Sequence, residues 1–170
     1  HWPTGRLLLY NAVFFSLPHA YQGAGGEGMV TLVKGRSGGQ PGLLGAPFDA
    51  AGTAICVEFN DLAGIEAALA TGEVAAVLTE PVMTNSCMVL PEPGFHAGLR
   101  ELCTKAGALL VIDETHTISS GLGGYARVHG LAPDMFVVGK CVAGGMPTAV
   151  WGMTPAVADR LAQVNAKRAQ

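Results

Sequence analysis

Charge is what this sequence is shortest of. Asp, Glu, Lys and Arg make up only 14% of its residues, against about a quarter in a typical soluble domain. That is too little charge to cover an ordinary monomer surface. With 49% hydrophobic residues, the chain reads as the interior part of something larger or as a chain with a large apolar interface. Basic runs are missing as well, and the net charge is −3, which argues against nucleic-acid binding. Long apolar runs are also absent. Leu7 to Leu17 is the longest, and it is interrupted by Asn11 and too short to span a bilayer. It follows Arg6, but there is no starting Met and no small-x-small cleavage site after it, so it is read as a strand over Leu7–Val13 and not as a signal-peptide core. Cysteine pairs are missing too. Cys56, Cys87, Cys103 and Cys141 have neither the spacing of a zinc site nor that of a disulfide framework. Cys56 and Cys103 fall inside apolar patterns and are read as core thiols in a reducing cytoplasm.

What is there is a regular alternation of apolar runs and amphipathic stretches. Met29 to Val33 is a short strand after the Gly-rich stretch Gly23–Gly28. A Gly- and Pro-rich loop follows over 35–52, carrying Leu43, Leu44 and Phe48, and a loop of that length serves function or an interface. The spacing then predicts a strand over Ala54–Phe59. A helix capped by Asp61 comes next, with Leu62, Ile65 and Leu69 on one face and Gly72 as its stop. Val74–Leu78 is a strand ending at Glu80-Pro81. A helix starting near Pro93 carries Phe95, Leu99 and Leu102 on its inner face and ends at Gly107. Ala108–Ile112, Met135–Val138 and Ala149–Met153 are further strands, and Thr154-Pro155 opens a last helix in the cap and first-turn pattern. Strands without polar alternation are covered on both sides. The fold class is therefore α/β, a layered, largely parallel sheet flanked by helices.

In open sheets of this kind the ligand site lies beyond the carboxyl ends of the strands. Glu80, Asp113 with Glu114, and Lys140 all close apolar runs there. One such charge is ordinarily a solvated turn; three of them weaken that reading. A lysine held close to a sheet is partly desolvated, which favours its neutral, nucleophilic amine. Gly144 and Gly145 permit a tight turn and a close approach of backbone to ligand. Lysine with a buried carboxylate suits a Schiff-base cofactor, and pyridoxal 5'-phosphate (PLP) uses that pair.

The stretches "LLVIDE" and "PDMFVVGKCVAGGMP" resemble the class III aminotransferases of PLP fold type I, with Pro133, Asp134, Gly139, Lys140, Gly144, Gly145 and Pro147 matching the family pattern. "VEFNDLAGIEAAL" and "AAVLTEPVMTN" are similar to its Asn-Asp helix start and its Glu-Pro strand end. The nearest branch is the glutamate-1-semialdehyde aminomutase-like group. The resemblance implies PLP-dependent amino-group transfer, by an aminotransferase or aminomutase, on an amino acid or amino aldehyde. Lys140 would form the Schiff base and shuttle the proton, and Asp113 would pair with the pyridinium nitrogen. His116 falls where the family places a residue beside the cofactor's phenolic oxygen; its other reading is a turn histidine bonded to local backbone. Phe14 would stack on the ring, and Glu80 and Asn85 would line the cofactor or substrate side. Glu114 is expected to support the Asp113 geometry. The family's His-Gly after the stacking aromatic is absent here, where the sequence reads "YNAVFFSLPHAY".

The resemblance further implies that residues 1–170 are the central portion of the PLP-binding large domain. The phosphate-binding loop would lie before residue 1, and the small C-terminal domain after residue 170. The parent protein is expected to be a cytoplasmic homodimer, without nucleic-acid or membrane partners or a metal, with the loop at 35–52 near the partner or the mouth of the site. The chain alone is expected to be inactive. Two other readings stay open: a non-catalytic remnant of the fold that acts in assembly, and an unrelated α/β enzyme in which Lys140 is an ion-pair partner of Asp113.

Overall fold

The computed structural model describes residues 29–34, 54–84, 88–144 and 148–168. The strand expected over Leu7–Val13, the loop over 35–52 and the residues Phe14 and Asn85 lie outside the described residues. Within them a six-stranded sheet has the order β2-β1-β3-β4-β5-β6. Its strands are β1 (Met29–Lys34), β2 (Ala54–Glu58), β3 (Val74–Thr79), β4 (Leu109–Asp113), β5 (Met135–Val138) and β6 (Val150–Met153). The helices are α1 (Leu62–Leu69), α2 (Phe95–Ala106), α3 (Gly124–Val128) and α4 (Pro155–Arg168).

The centre of the sheet is parallel. β3 pairs with β4, Thr79 opposite Ile112, and β4 pairs with β5, Asp113 opposite Val137. The flanks are antiparallel: β1 lies between β2 and β3 and opposes both, and β6 opposes β5. β2, β3, β4 and β5 therefore point one way and β1 and β6 the other. The reason is the connections. A parallel pair needs a crossover, and α2 supplies it between β3 and β4. The segment from β5 to β6 holds only a 3₁₀ turn, Lys140–Ala143, and the chain folds straight back.

Each face of the central strands has its own core. Ile65, Leu69, Phe95, Leu99 and Cys103 of α1 and α2 cover Val77, Leu110 and Ile112 on one face. Val157 of α4 packs with Leu78, Val111, Met135 and Val137 on the other. Burial of this kind is worth about 1.5–3 kcal/mol for each large aliphatic side chain. The same burial pushes the Cys103 thiol up to about 11, so it stays protonated and inert. Cys103 and Cys141 are both free.

Local signals set the helix ends. Asp61 caps α1, its Oδ1 accepting from the Gly64 amide at 2.9 Å. A Cβ on Gly64 would stand 2.3 Å from Asp61 Oδ2 and 2.8 Å from Val57 Cγ1, so a larger residue there would have to displace the capping carboxylate and Val57. Preceding it, Asn60 sits at φ 72 and clamps the approach to α2. Its Nδ2 donates to Leu90 O at 3.0 Å and its Oδ1 accepts from Glu92 N at 2.9 Å. Gly107 ends α2 in the left-handed region at φ 68, as expected.

At the amino ends of β4 and β5, Asp134 acts as a bolt. Its Oδ2 accepts from the Leu110 amide and from Arg100 Nη1, each at 2.7 Å. Its backbone oxygen accepts from Thr154 N at 2.9 Å. One residue thus ties α2, β4 and the start of α4 to β5. The Pro-Asp of the sequence pattern serves the frame, at the end of the sheet away from the glycine-flanked lysine.

Candidate active site

The carboxyl ends of β3, β4 and β5 lie side by side, and the turns that leave them are stitched together. Asp113 is the last residue of β4 and is buried, 6% exposed. Its Oδ1 accepts from the Thr115 amide at 2.9 Å. Among the described residues its Oδ2 accepts no hydrogen bond. Thr115 reaches sideways: its Oγ1 accepts from the Gly139 amide at 3.0 Å, tying the turn after β4 to the residue just before Lys140.

Glu114 is more deeply buried still, at 2%. Its carboxylate accepts from Thr117 Oγ1 at 2.6 Å, from Tyr125 N at 3.1 Å and from Ala126 N at 2.5 Å. Those amides are free first-turn donors of α3, so an anion there satisfies both the orphan N–H groups and the helix end. Its backbone oxygen also accepts from Thr117 N and Ile118 N, at 3.0 and 2.8 Å. Glu114 thus holds the turn that presents Asp113, its carboxylate taken up by donors from that turn and from α3.

Lys140 opens the 3₁₀ turn after β5 and has φ 47. That left-handed backbone is uncommon for a side chain with a Cβ and costs on the order of 1–2 kcal/mol. The turn ends on Gly144 at φ 57. Strain of this kind persists where the surroundings over-determine it, here through the Thr115–Gly139 bond. Lys140 and Asp113 therefore stand at the same edge of adjacent parallel strands.

Glu80 and His116 are joined through a residue the sequence did not single out. The Glu80 Oε2 accepts from the Thr84 amide at 3.2 Å and from the Thr84 hydroxyl. The same hydroxyl meets His116 Nδ1 at 2.5 Å. Among the described residues His116 is thus bonded to a side chain that follows β3 and to no backbone group. Thr84, Thr115 and Thr117 are the site residues that sequence reasoning missed. Two of them sit in "DETHT", where short hydroxyls around buried acids signal turn bonding.

Behind the site an aromatic row runs from Phe59 through Phe95, His96 and Tyr125 to His129, the last pair stacked at 3.9 Å. His96 Nε2 donates to Pro81 O at 2.8 Å and so fastens α2 to the residue after Glu80. Burial pushes the His96 imidazole below the ordinary 6.5; the bond to Pro81 opposes this and nearby His129 adds to it.

With this geometry in hand, the chain can be set beside known proteins. The model of the family described as aminotransferase class-III matches residues 41–167. The chain belongs to the class III aminotransferases. Among curated relatives, a glutamate-1-semialdehyde 2,1-aminomutase of Nitrosospira multiformis is 42% identical over 142 residues, which is 79% of this class III chain and 33% of that protein. Among solved structures, a glutamate-1-semialdehyde-aminomutase from Pseudomonas aeruginosa is 58% identical with a TM-score of 0.65, covering 74% of this chain and 28% of that one. An omega-transaminase from Sphaerobacter thermophilus is 31% identical with a TM-score of 0.59, covering 71% and 28%. The class III chain thus spans about a third of the length of the curated relatives it matches, 33% and 29% of them. No described helix is long and apolar enough to cross a membrane.

Two outcomes test this arrangement. Glu114→Gln keeps one acceptor oxygen and turns an amide toward donors, so it is expected to cost about 2–3 kcal/mol. Denaturant unfolding and faster exchange of the Tyr125 and Ala126 amides would report it. His96 is held neutral when folded, so its contribution is complete above pH 6.5 and is lost as pH falls through the lowered folded value. A His96→Gln variant is expected to show a flatter fall in stability on acidification below pH 6.5; an unchanged slope would place the acid sensitivity elsewhere.

Proposed function

We propose that these strand ends hold PLP in an enzyme that moves an amino group on an amino acid or amino aldehyde, by transamination or intramolecular transfer. The observation that carries this reading is Asp113. A buried carboxylate oxygen without a donor is costly, and Oδ2 lacks one among the described residues while Oδ1 is already held by the Thr115 amide. A protonated pyridine nitrogen is a donor of matching charge. The residues present therefore fit the cofactor. When bound, PLP supplies a carbonyl that condenses with amines and a ring that withdraws electrons from the carbon next to the nitrogen.

The chain's own part is to position and to move protons. Asp113 would hold a proton on the ring nitrogen, and its burial at the end of the strand would keep water from competing for it. Lys140 Nζ would hold the carbonyl end of the cofactor, and as a free amine it would carry a proton to and from the substrate carbon. The backbone just before Lys140 is fixed through Gly139 and Thr115, which sets where the lysine side chain leaves the turn. Glu114 stays out of the chemistry and keeps the turn in place.

The remaining parts of the site belong, in this reading, to the rest of a longer protein, since the chain covers 33% of a relative such as the Nitrosospira enzyme. They are a phosphate-binding loop at a helix start and a small C-terminal domain, with Phe14 and Asn85 added from this chain. A cytoplasmic homodimer suits the low charge and the exposed Phe136 of β5 and Val150 and Trp151 of β6, which need a cover. Light scattering of the intact protein tests the dimer; a monodisperse monomer would count against it.

Borohydride reduction in the presence of PLP, followed by proteolysis and mass analysis, tests the cofactor reading. The adduct is expected on the Lys140 peptide and is expected to be absent from Lys140→Ala. Asp113→Asn should keep the adduct while lowering kcat by about 10²–10³. An adduct on another lysine, or none, would overturn the assignment.

A further inference from the structure

The pairing of β4 with β5 loses a backbone acceptor one step before Lys140. In a parallel pair a residue donates to one neighbour of its partner and accepts from the other. Asp113 stands opposite Val137, so Glu114 is next in register with Val138. The first of its two bonds is made, from the Glu114 amide to Val137 O at 2.8 Å. The second would run from the Gly139 amide to the Glu114 carbonyl. That carbonyl is already taken. It accepts from the amides of Thr117 and Ile118, at 3.0 and 2.8 Å, and has no third lone pair to offer. Gly139 is buried, so its N–H must find an acceptor inside the protein. The Thr115 hydroxyl is that acceptor, at 3.0 Å.

We propose that Thr115 is a positioning residue for Lys140. Its hydroxyl replaces the ladder carbonyl that the turn around Glu114 has withdrawn, and carries the β4–β5 pairing one residue further, up to the lysine. Without it, among the described residues, the last hydrogen bond between the two strand ends is the one at Val137 O. Gly139 could then rotate, and the left-handed backbone of Lys140, at φ 47, could relax and re-aim the side chain. Packing does not hold Gly139 by itself. A Cβ built on it would meet only Thr115 Oγ1 at 3.7 Å, Thr115 Cγ2 at 3.8 Å and Ala149 Cβ at 3.9 Å, all ordinary contacts. The requirement at position 115 is therefore an acceptor atom, which serine keeps and valine lacks. The consequence for chemistry rests on the reading of Lys140 as the amine that holds PLP.

Amide hydrogen exchange of the intact protein without cofactor reads the link. In the wild type and in Thr115→Ser, the Gly139 amide is expected to be protected like that of Glu114. In Thr115→Val it is expected to exchange about tenfold faster, the size of one hydrogen bond, while the Glu114 amide stays protected. A fast Gly139 amide in the wild type, a result that depends on no variant folding, or an equally slow one in Thr115→Val, would overturn the link. The second arm mixes PLP with the intact apoprotein and traps the product with borohydride at timed intervals. The Lys140 adduct is expected to form about tenfold more slowly in Thr115→Val, with Thr115→Ser at the wild-type rate. Equal rates in all three would refute the positioning role. A slow Thr115→Ser would refute it too, because the missing methyl group and not the hydroxyl would then be responsible. No Lys140 adduct in the wild type would overturn the cofactor reading and the positioning role with it, while the exchange arm still decides the link.

Discussion

A buried anion organises the site. Glu114 is 2% exposed and cannot stay there unless every lone pair that faces inward meets a donor. The chain meets this demand by bending sharply after β4 and bringing the start of α3 back over the strand end, so that Thr117, Tyr125 and Ala126 all point at one carboxylate. Everything at that edge follows from the bend. Asp113 is left as the last residue of the strand, Thr115 is turned toward Gly139, and His116 is thrown toward the end of β3. Two adjacent acids thus have opposite fates: one is spent on folding the turn, the other keeps an oxygen without a described partner.

Much of this frame could be read from the sequence. Met135–Val138 is a strand as its apolar run demands, and Asp61, Gly107 and Thr154-Pro155 mark helix ends where the structure has them. These signals are local, carried by a cap, a left-handed glycine or a proline. What the apolar runs could not give was strand direction. β1 and β6 are as apolar as their neighbours but run against them, because direction is set by the connection and not by the strand. The site divides the same way. Asp113 and Lys140 were legible because each closes an apolar run. The Thr84 bridge was not, because it exists only once β3 and β4 are side by side, and nothing in the order of residues brings position 84 to position 116. Asp134 is the opposite case: a strong match in the sequence pattern whose side chain holds the far end of the sheet.

The lysine and the carboxylate are tied by backbone as well as by proximity. The Thr115 amide restrains Asp113, and the Thr115 hydroxyl restrains the residue before Lys140. A single residue, through its amide and its hydroxyl, therefore links the two strand ends. The left-handed turn at Lys140 is tolerated because the residues on either side of it are already fixed, and the glycine at its far end absorbs the remaining rotation.

The way α3 is fastened has a consequence for how such a site can diversify. The bonds from Tyr125 and Ala126 to Glu114 come from main-chain amides, which every residue except proline carries. The side chains of the turn and of the first turn of α3 are not needed to make it. Leu122, 88% exposed, can change without disturbing the anchor. The anion, the Thr117 hydroxyl and Gly124 are constrained, the last because its φ is +78 and a Cβ would come within 3.0 Å of the carboxylate, and Gly123 is held to glycine by its own φ of +88. A lineage could therefore exchange the outward residues of this loop, and with them the shape of the cleft's rim, while the strand-end acid stays in register.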